Sequence, residues 1–133
     1  GHRIGTAELE SCIVSHDGVA ESAVCGIPDD VKGEVIIAFV VLRHGLKADP
    51  NILQKEITDK IRSDIGAIAT PKQIYFVPRL PKTRSGKIMR RLLKTIGTGE
   101  AVGDVSTLED GAAVAEVKRV FDETQKSTAD KSA

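Results

Sequence analysis

A run of eight consecutive apolar residues, Val35 to Leu42, is the feature that most limits how this chain can fold. Eight residues make a strand, whereas a helix that crosses a membrane needs about 18 or more apolar residues. A strand that lacks polar alternation is typical of a sheet covered by helices. The run therefore predicts the central strand of such a sheet.

The segments on either side of this run predict two further strands and four helices. The first helix begins at Thr6, which can cap it and is followed by two acidic residues. The second begins at Pro50 and carries apolar side chains at i+4 spacing. The predicted strands are residues 19–27 and 72–77, with a turn at 28–30, and the predicted helices are residues 6–18, 50–66, 87–96 and the stretch around Val114, Val117 and Phe121. This order predicts an α+β domain, with a central three-stranded sheet, with or without a short hairpin, flanked by helices.

The composition of the 133 residues indicates one globular domain with an aliphatic core. Aromatic residues make up only 3%, which argues against a nucleic-acid platform that stacks bases on several exposed rings. Cys12 and Cys25 are interpreted as buried apolar thiols in a reducing, cytoplasmic compartment, because two distant cysteines make neither a zinc site nor a disulfide scaffold. We expect neither a signal peptide nor a membrane span.

The charges sum to zero, with 19 basic and 19 acidic residues, but they are arranged in blocks. Residues 1–70 carry 7 basic and 11 acidic side chains, residues 71–99 carry 8 basic and none acidic, and residues 100–133 carry 4 basic and 8 acidic. The basic block indicates a site for a phosphorylated or otherwise anionic partner. Two alternatives stay open at this point: a polyanion- or nucleic-acid-binding or regulatory module that uses residues 71–99, and a solvated helix face balanced by the acidic tail.

A loop within the basic block, residues 80–87 with the sequence LPKTRSGK, presents a lysine beside hydroxyl groups and a glycine. It is not the phosphate-binding loop of nucleotide hydrolases, because that motif requires glycine where Pro81 stands and Ser or Thr where Ile88 stands. The loop offers Lys87, a compact charge on a long stem that can reach into a site formed mostly by another surface.

Three segments together resemble a known family. They are GHRIGTAELE at residues 1–10, AVCGIPD at 23–29 followed by KGE at 32–34, and LPKTRSGK at 80–87. The set resembles the C-terminal domain of AMP-forming acetyl-CoA synthetases (acetate–CoA ligases), members of the adenylate-forming superfamily. The resemblance covers nearly the whole chain, and the last segment is highly specific to the superfamily.

The resemblance implies that residues 1–96 form the mobile C-terminal domain of an acyl-CoA ligase and that residues 97–133 form a linker, a helix and a frayed tail. The large N-terminal domain, which is absent from this sequence, is the implied partner. The implied reaction converts ATP, acetate and CoA into acetyl-CoA, AMP and diphosphate, and the isolated domain is expected to be inactive.

The resemblance also implies roles for four residues. Lys87 matches the catalytic lysine of the adenylation step and is the family's site of lysine acetylation, so an acetyltransferase and a deacetylase are implied partners. Arg3 matches an arginine that contacts the ATP or AMP phosphate, and Gly1 matches a glycine that lines the pantetheine tunnel. Arg62 matches an arginine that meets the CoA phosphate.

A metal site is implied in the same way. Val14, His16 and Val19 match positions assigned to Mg²⁺ in the acetate branch, two through backbone carbonyls and His16 through its ring. The residues alone favour a plain histidine at a helix end, because Mg²⁺ prefers oxygen ligands and keeps several waters. Both interpretations stay open here.

Overall fold

The computed structural model describes residues 6–29, 31, 33–45, 49–66, 69–99 and 111–132, and all structural statements below concern these residues. In chain order the elements are α1 (Thr6–Val14), β1 (Val19–Asp29), β2 (Gly33–Leu42), α2 (Pro50–Asp64), β3 (Gln73–Phe76), α3 (Arg90–Gly97) and α4 (Gly111–Ser132). The α+β class is therefore confirmed. None of the helices in the described ranges combines the length and the apolar character that a membrane crossing requires.

The sheet has the order β1-β2-β3, so the apolar run does form the central strand. β1 pairs with β2 in antiparallel fashion, and β2 pairs with β3 in parallel, with α2 as the crossover connection. The β1–β2 ladder extends to the pair of Asp29 with Gly33, so the turn predicted at residues 28–30 begins too early. Pro28 is tolerated inside β1 because β1 is an edge strand.

Both faces of β2 are buried, and successive side chains alternate between them. Ala38 and Val40 pack with apolar residues of α1 and α2, whereas Ile37, Phe39 and Val41 pack with those of α3 and α4. Burial of one such side chain contributes roughly 1.5–3 kcal/mol, which explains why the run has no polar position. The sheet thus separates an α1/α2 layer from an α3/α4 layer.

The expectation of an aliphatic core holds for the α1/α2 layer only. On the other side, Phe39 stacks on Tyr75 with ring centroids 5.2 Å apart, and Tyr75 contacts Phe121 at 5.2 Å. Aromatic residues are few, but three of the four in the sequence lie in this one cluster. Because Phe121 belongs to α4, the C-terminal helix is part of the same core as the sheet.

Two helix boundaries differ from the sequence prediction by more than two residues. α1 ends at Val14 rather than Gly18, and the residues after it form consecutive turns. α3 begins at Arg90 rather than at residue 87, because the residues before it form a hairpin. α2 begins as predicted, with Asp49 capping it through a 2.9 Å bond from the Asn51 N–H. The division of the chain at residues 96 and 97 and the frayed tail stay predictions.

Candidate functional site

The loop that carries Lys87 is a short hairpin, residues 82–88, called the lysine hairpin below. Lys82 and Ile88 form an antiparallel β-bridge. The Met89 N–H donates to the Pro81 carbonyl at 2.9 Å, which closes the base of the hairpin. The optional hairpin in the sequence prediction therefore exists, and it lies between β3 and α3.

The tip of the hairpin is held by its own polar groups. The Thr83 N–H donates to the Lys87 carbonyl at 2.8 Å, and the Gly86 N–H donates to the Thr83 carbonyl at 2.9 Å. The Thr83 hydroxyl oxygen accepts from the Lys87 N–H at 3.2 Å and lies 3.0 Å from the Ser85 hydroxyl. Gly86 has a φ of +90°, a conformation that residues with a side chain rarely adopt. The turn therefore does not need the Lys87 side chain for its own stability.

The Lys87 side chain is exposed at this tip. Within the described residues its ammonium contacts no carboxylate, although its main-chain N–H and carbonyl are both bonded. An ordered backbone below an unpaired cation can present a positive charge to an anion on another surface. The hairpin alone offers no pocket walls, so the rest of such a site must come from elsewhere.

Two acidic residues connect the ends of the hairpin to the other elements. Lys82 forms an ion pair with Glu21 of β1. Arg90 forms a two-pronged pair with Glu10 of α1, through Nε to Oε2 at 2.9 Å and Nη2 to Oε1 at 2.5 Å. Donation of these hydrogen bonds to Glu10 raises the pKa of Arg90 above its ordinary value. Neither acid stands out in the sequence as a partner of the hairpin, because each lies far along the chain from the cation it meets, 80 positions in the case of Glu10 and Arg90.

The basic block creates a weaker positive surface than its composition indicates, because acids from other segments pair with some of its cations. Arg79 pairs with Glu116 at 3.0 Å, and Lys82 and Arg90 also meet acids from outside the block. Lys94 and Arg91 remain exposed on α3 beside the hairpin. This local neutralisation weakens the polyanion-binding interpretation, which relied on an uncompensated block.

The turn after α1, residues 15–19, contains His16 and is called the His16 corner. The Gly18 N–H donates to His16 Nδ1 at 2.9 Å, so the proton of a neutral ring lies on Nε2, which contacts Glu56 Oε1 at 2.9 Å. The Val19 N–H donates to the His16 carbonyl at 3.1 Å. Both ring nitrogens therefore serve the fold of the corner.

The Mg²⁺ site implied by the resemblance does not fit this ring arrangement, because no imidazole lone pair is left for a cation. Val14 is half-exposed and Val19 is fully buried. Among the residues that the structure describes, no three His, Cys, Asp or Glu side chains group as metal ligands do. We derive no catalytic step from Mg²⁺ at this corner, and the assignment stays a prediction.

Arg62 lies exposed in the last turn of α2, in the layer opposite to α3. The sheet therefore separates the helix that carries Arg62 from the helix that follows Lys87. The remaining two candidates, Gly1 and Arg3, lie outside the described residues. Of the four residues given roles in binding or catalysis, the structure describes only Arg62 and Lys87, and it does not bring these two together.

The two cysteines are buried free thiols, as the sequence predicted. Burial raises the pKa of Cys12, and it raises the pKa of Cys25 to about 11. A raised pKa lowers the fraction of reactive thiolate, which argues against either cysteine as a nucleophile near neutral pH. The Cys25 thiol also lies 3.8 Å from the carbonyl of Arg90, the first residue of α3.

Known proteins resemble the chain in sequence and in structure. The family model described as AMP-binding enzyme C-terminal domain matches residues 8–87. The acetyl-coenzyme A synthetase of Pyrobaculum aerophilum is 60% identical over 123 residues, which is 92% of this chain and 18% of that protein. The 3-hydroxypropionyl-coenzyme A synthetase of Sulfurisphaera tokodaii is 52% identical over 126 residues, 95% of this chain and 19% of that protein.

A solved structure gives the same result. The crystal structure of a Brucella canis acyl-CoA synthetase aligns with a TM-score of 0.66 and 42% identity, over 71% of this chain and 17% of that one. The chain therefore spans less than a fifth of the length of these relatives.

Proposed function

Because the chain belongs to the family of AMP-binding enzyme C-terminal domains, we propose that it is the mobile C-terminal domain of an AMP-forming acetate–CoA ligase. The enzyme would join acetate to AMP at the expense of ATP, release diphosphate, and then transfer the acetyl group to CoA. One observation carries the proposal: Lys87 stands at the tip of a hairpin whose backbone is bonded internally, while its ammonium is exposed.

The role of Lys87 follows from the charges of the first half-reaction. A carboxylate must approach the α-phosphate of ATP, and the two anions repel each other. An ammonium between them offsets that repulsion and stabilises the charge that builds up during attack. Loss of one such donor typically slows the step by roughly 10²–10³-fold. The second half-reaction, attack of the CoA thiol on acetyl-AMP, has no such pair of anions.

The other candidate residues divide between the two half-reactions. Arg3 would contact the ATP or AMP phosphate, since a guanidinium can donate two parallel hydrogen bonds to phosphate oxygens. Arg62 would bind a CoA phosphate, and Gly1 would leave room for the pantetheine arm. Arg62 lies on α2, and Lys87 lies on the hairpin that leads into α3 of the opposite layer; this placement supports a domain that turns a different face to the same site in each step.

The partner would be an N-terminal adenylation domain that supplies the acid pocket and most nucleotide contacts, so this chain alone should be inactive. The choice of acid is a finer part of the proposal. We favour acetate because the acetyl-CoA synthetase is the more similar of the two relatives, at 60% against 52% identity. 3-Hydroxypropionate is the competing substrate.

Regulation by acetylation forms a further part of the proposal. Acetylation of Lys87 would remove its charge and with it the first half-reaction. The exposed tip of the hairpin gives an acetyltransferase and a deacetylase access to this lysine. A reducing cytoplasm, with Mg²⁺ accompanying ATP, is the setting in which we expect the enzyme to act.

The proposal is tested by joining this chain to the N-terminal portion of the Pyrobaculum aerophilum enzyme, in place of the matching segment. Acetate- and 3-hydroxypropionate-dependent exchange of diphosphate into ATP reports the first half-reaction, and release of AMP from supplied acetyl-AMP and CoA reports the second. We expect Lys87→Ala to reduce the first by roughly 10²–10³-fold and to spare the second.

The matched control is Lys118→Ala, which removes an exposed lysine of α4 that pairs only with its neighbour Asp122 among the described contacts. It should leave both half-reactions unchanged. An active fusion in which Lys87→Ala behaves like Lys118→Ala would exclude the adenylation role of the hairpin. Salt-dependent binding of an anionic polymer by residues 71–99 would then be the function to test.

A further inference from the structure

We propose that Glu10 is a positioning residue for Lys87. It holds Arg90, the first residue of α3, and thereby fixes the position of the lysine hairpin relative to the sheet. The effect on catalysis rests on the proposed function, whereas the effect on the hairpin does not. Glu10 has no place in the chemistry itself, because its carboxylate is fully engaged within the domain.

The carboxylate of Glu10 accepts three hydrogen bonds from two other elements. Arg90 donates through Nε and Nη2, at 2.9 and 2.5 Å, and the Val24 N–H donates to Oε2 at 2.8 Å. β1 is an edge strand, so the outward N–H of Val24 would otherwise lack a strand partner. The Glu10 side chain is only 12% exposed. An ion pair of this kind is held far more firmly than the usual single contact between solvated side chains.

The main chain of Glu10 is fixed as well. The hydroxyl of Ser22, a buried residue of β1, donates to the Glu10 carbonyl at 3.1 Å. Leu9, on the inner side of α1, is fully buried in the core. Glu10 therefore has a defined position relative to the sheet, and that position is passed on to Arg90.

Hydrogen bonds hold the backbone in place between Arg90 and Lys87. The Arg90 N–H donates to the Ile88 carbonyl at 3.1 Å, and the Met89 N–H donates to the Pro81 carbonyl at 2.9 Å. Ile88 itself is bridged to Lys82. Because each residue between Arg90 and Lys87 is bonded, a displacement of Arg90 moves the tip of the hairpin.

The size of the effect follows from how strongly reactions depend on geometry. A misplacement of about 1 Å at a catalytic group can cost about 10²-fold in rate. Removal of the Glu10 charge should loosen the hairpin without detaching it, since Glu21 still pairs with Lys82. We therefore expect about a tenfold loss in the adenylation step, smaller than the loss for Lys87→Ala.

The experiment compares Glu10→Gln, Arg90→Lys and Glu116→Gln. Glu10→Gln keeps the size and one oxygen for the Val24 N–H but removes the charge. Arg90→Lys keeps the charge but allows only one of the two bonds, so it should give an intermediate effect. Glu116→Gln is the matched control, because Glu116 also pairs with an arginine from another element, Arg79, at 3.0 Å.

Two readouts are used. In the 133-residue chain, amide shifts and ¹⁵N relaxation of residues 83–87 should change in Glu10→Gln and not in Glu116→Gln. In the fusion enzyme, Glu10→Gln should lower kcat for diphosphate exchange about tenfold with little change in the KM for ATP, while the supplied-acetyl-AMP reaction stays within about twofold.

Equal losses in both half-reactions, or the same result as Glu116→Gln, would overturn the positioning role. If Lys87→Ala itself leaves exchange unaffected, the proposed function fails, and the amide data alone decide: unchanged signals of residues 83–87 in Glu10→Gln overturn the inference, and changed signals support it.

Discussion

The lysine hairpin and the His16 corner are both turns that join two elements, and each contains a titratable side chain for which the resemblance implies a role. In the hairpin, main-chain groups and the Thr83 hydroxyl make the internal bonds, so the Lys87 ammonium is left to the outside. In the corner, the imidazole of His16 makes the bonds itself. A side chain that maintains its own turn is not available for a ligand.

The difference has a local cause. The hairpin contains Gly86, whose positive φ closes the turn without help from a long side chain. The corner follows the C-terminal end of α1, where the chain turns towards β1, and the Gly18 N–H in this turn finds its acceptor in His16 Nδ1. Each turn also has a cysteine close to it. The Cys25 thiol contacts the carbonyl of Arg90, just after the hairpin, and the Cys12 carbonyl accepts from the Ser15 hydroxyl of the corner.

The largest expected effect concerns two buried groups, the Cys25 thiol and the Tyr75 hydroxyl. Burial raises the pKa of Cys25 from 9.0 to about 11, and that of Tyr75 from 10.0 to about 12. A folded-state pKa above the unfolded value stabilises the fold fully below the unfolded pKa, and this stabilisation is lost as pH rises through the folded pKa. The free energy of unfolding should therefore fall between about pH 9 and 12, by up to about 3 kcal/mol for each group.

Urea unfolding measured at intervals across that range gives the slope with pH. Cys25→Ala and Tyr75→Phe should each flatten it, whatever they do to stability at neutral pH. Cys12→Ala is the matched control and should flatten it less, since Cys12 lies at the edge of the core beside Asp64. Equal slopes in the wild type and in Cys25→Ala would show that the fold does not raise the pKa of this thiol.

A smaller effect separates the two turns directly. His16→Ala removes the acceptor for the Gly18 N–H and the contact with Glu56, so it should lower the free energy of unfolding by about 1–2 kcal/mol. Neither half-reaction of the fusion enzyme should change. Lys87→Ala should do the opposite, with stability kept to within about 0.5 kcal/mol. Loss of activity without loss of stability in His16→Ala would mean that the corner, too, is functional.

The next effect tests the backbone of the hairpin. A methyl group on Gly86 would meet nothing within 4 Å, so Gly86→Ala introduces only backbone strain, about 1 kcal/mol. Gly45→Ala is the matched control, because Gly45 has a φ of +80° and equally open surroundings in the turn after β2. Urea unfolding should give similar losses for both, while diphosphate exchange should fall only for Gly86→Ala. Equal exchange rates would mean that Lys87 does not depend on this turn.

These contrasts mark what a sequence can and cannot predict. The apolar run from Val35 to Leu42 predicts a central strand, because a strand that is buried on both faces needs apolar residues at consecutive positions. The LPKTRSGK segment locates Lys87 because its residues are contiguous. The Glu10–Arg90 pair and the aromatic contact of Tyr75 with Phe121 both depend on residues far apart in the chain. Such pairings follow from topology, which the strand and helix pattern left open.

The smallest expected effect is that of Mg²⁺ on the isolated chain. A ligand that binds only the folded state raises the free energy of unfolding by RT ln(1 + [L]/Kd), so even a weak site shifts unfolding at high ligand concentration. With both His16 nitrogens bonded, we expect millimolar Mg²⁺ to shift the unfolding temperature by less than about 1 °C and to leave the His16 ring signals in place. A saturable shift that disappears in His16→Ala would mean that the ring changes partners to take the ion. A shift that persists in that variant would show that the ion binds without the ring, with His16 as a structural group only.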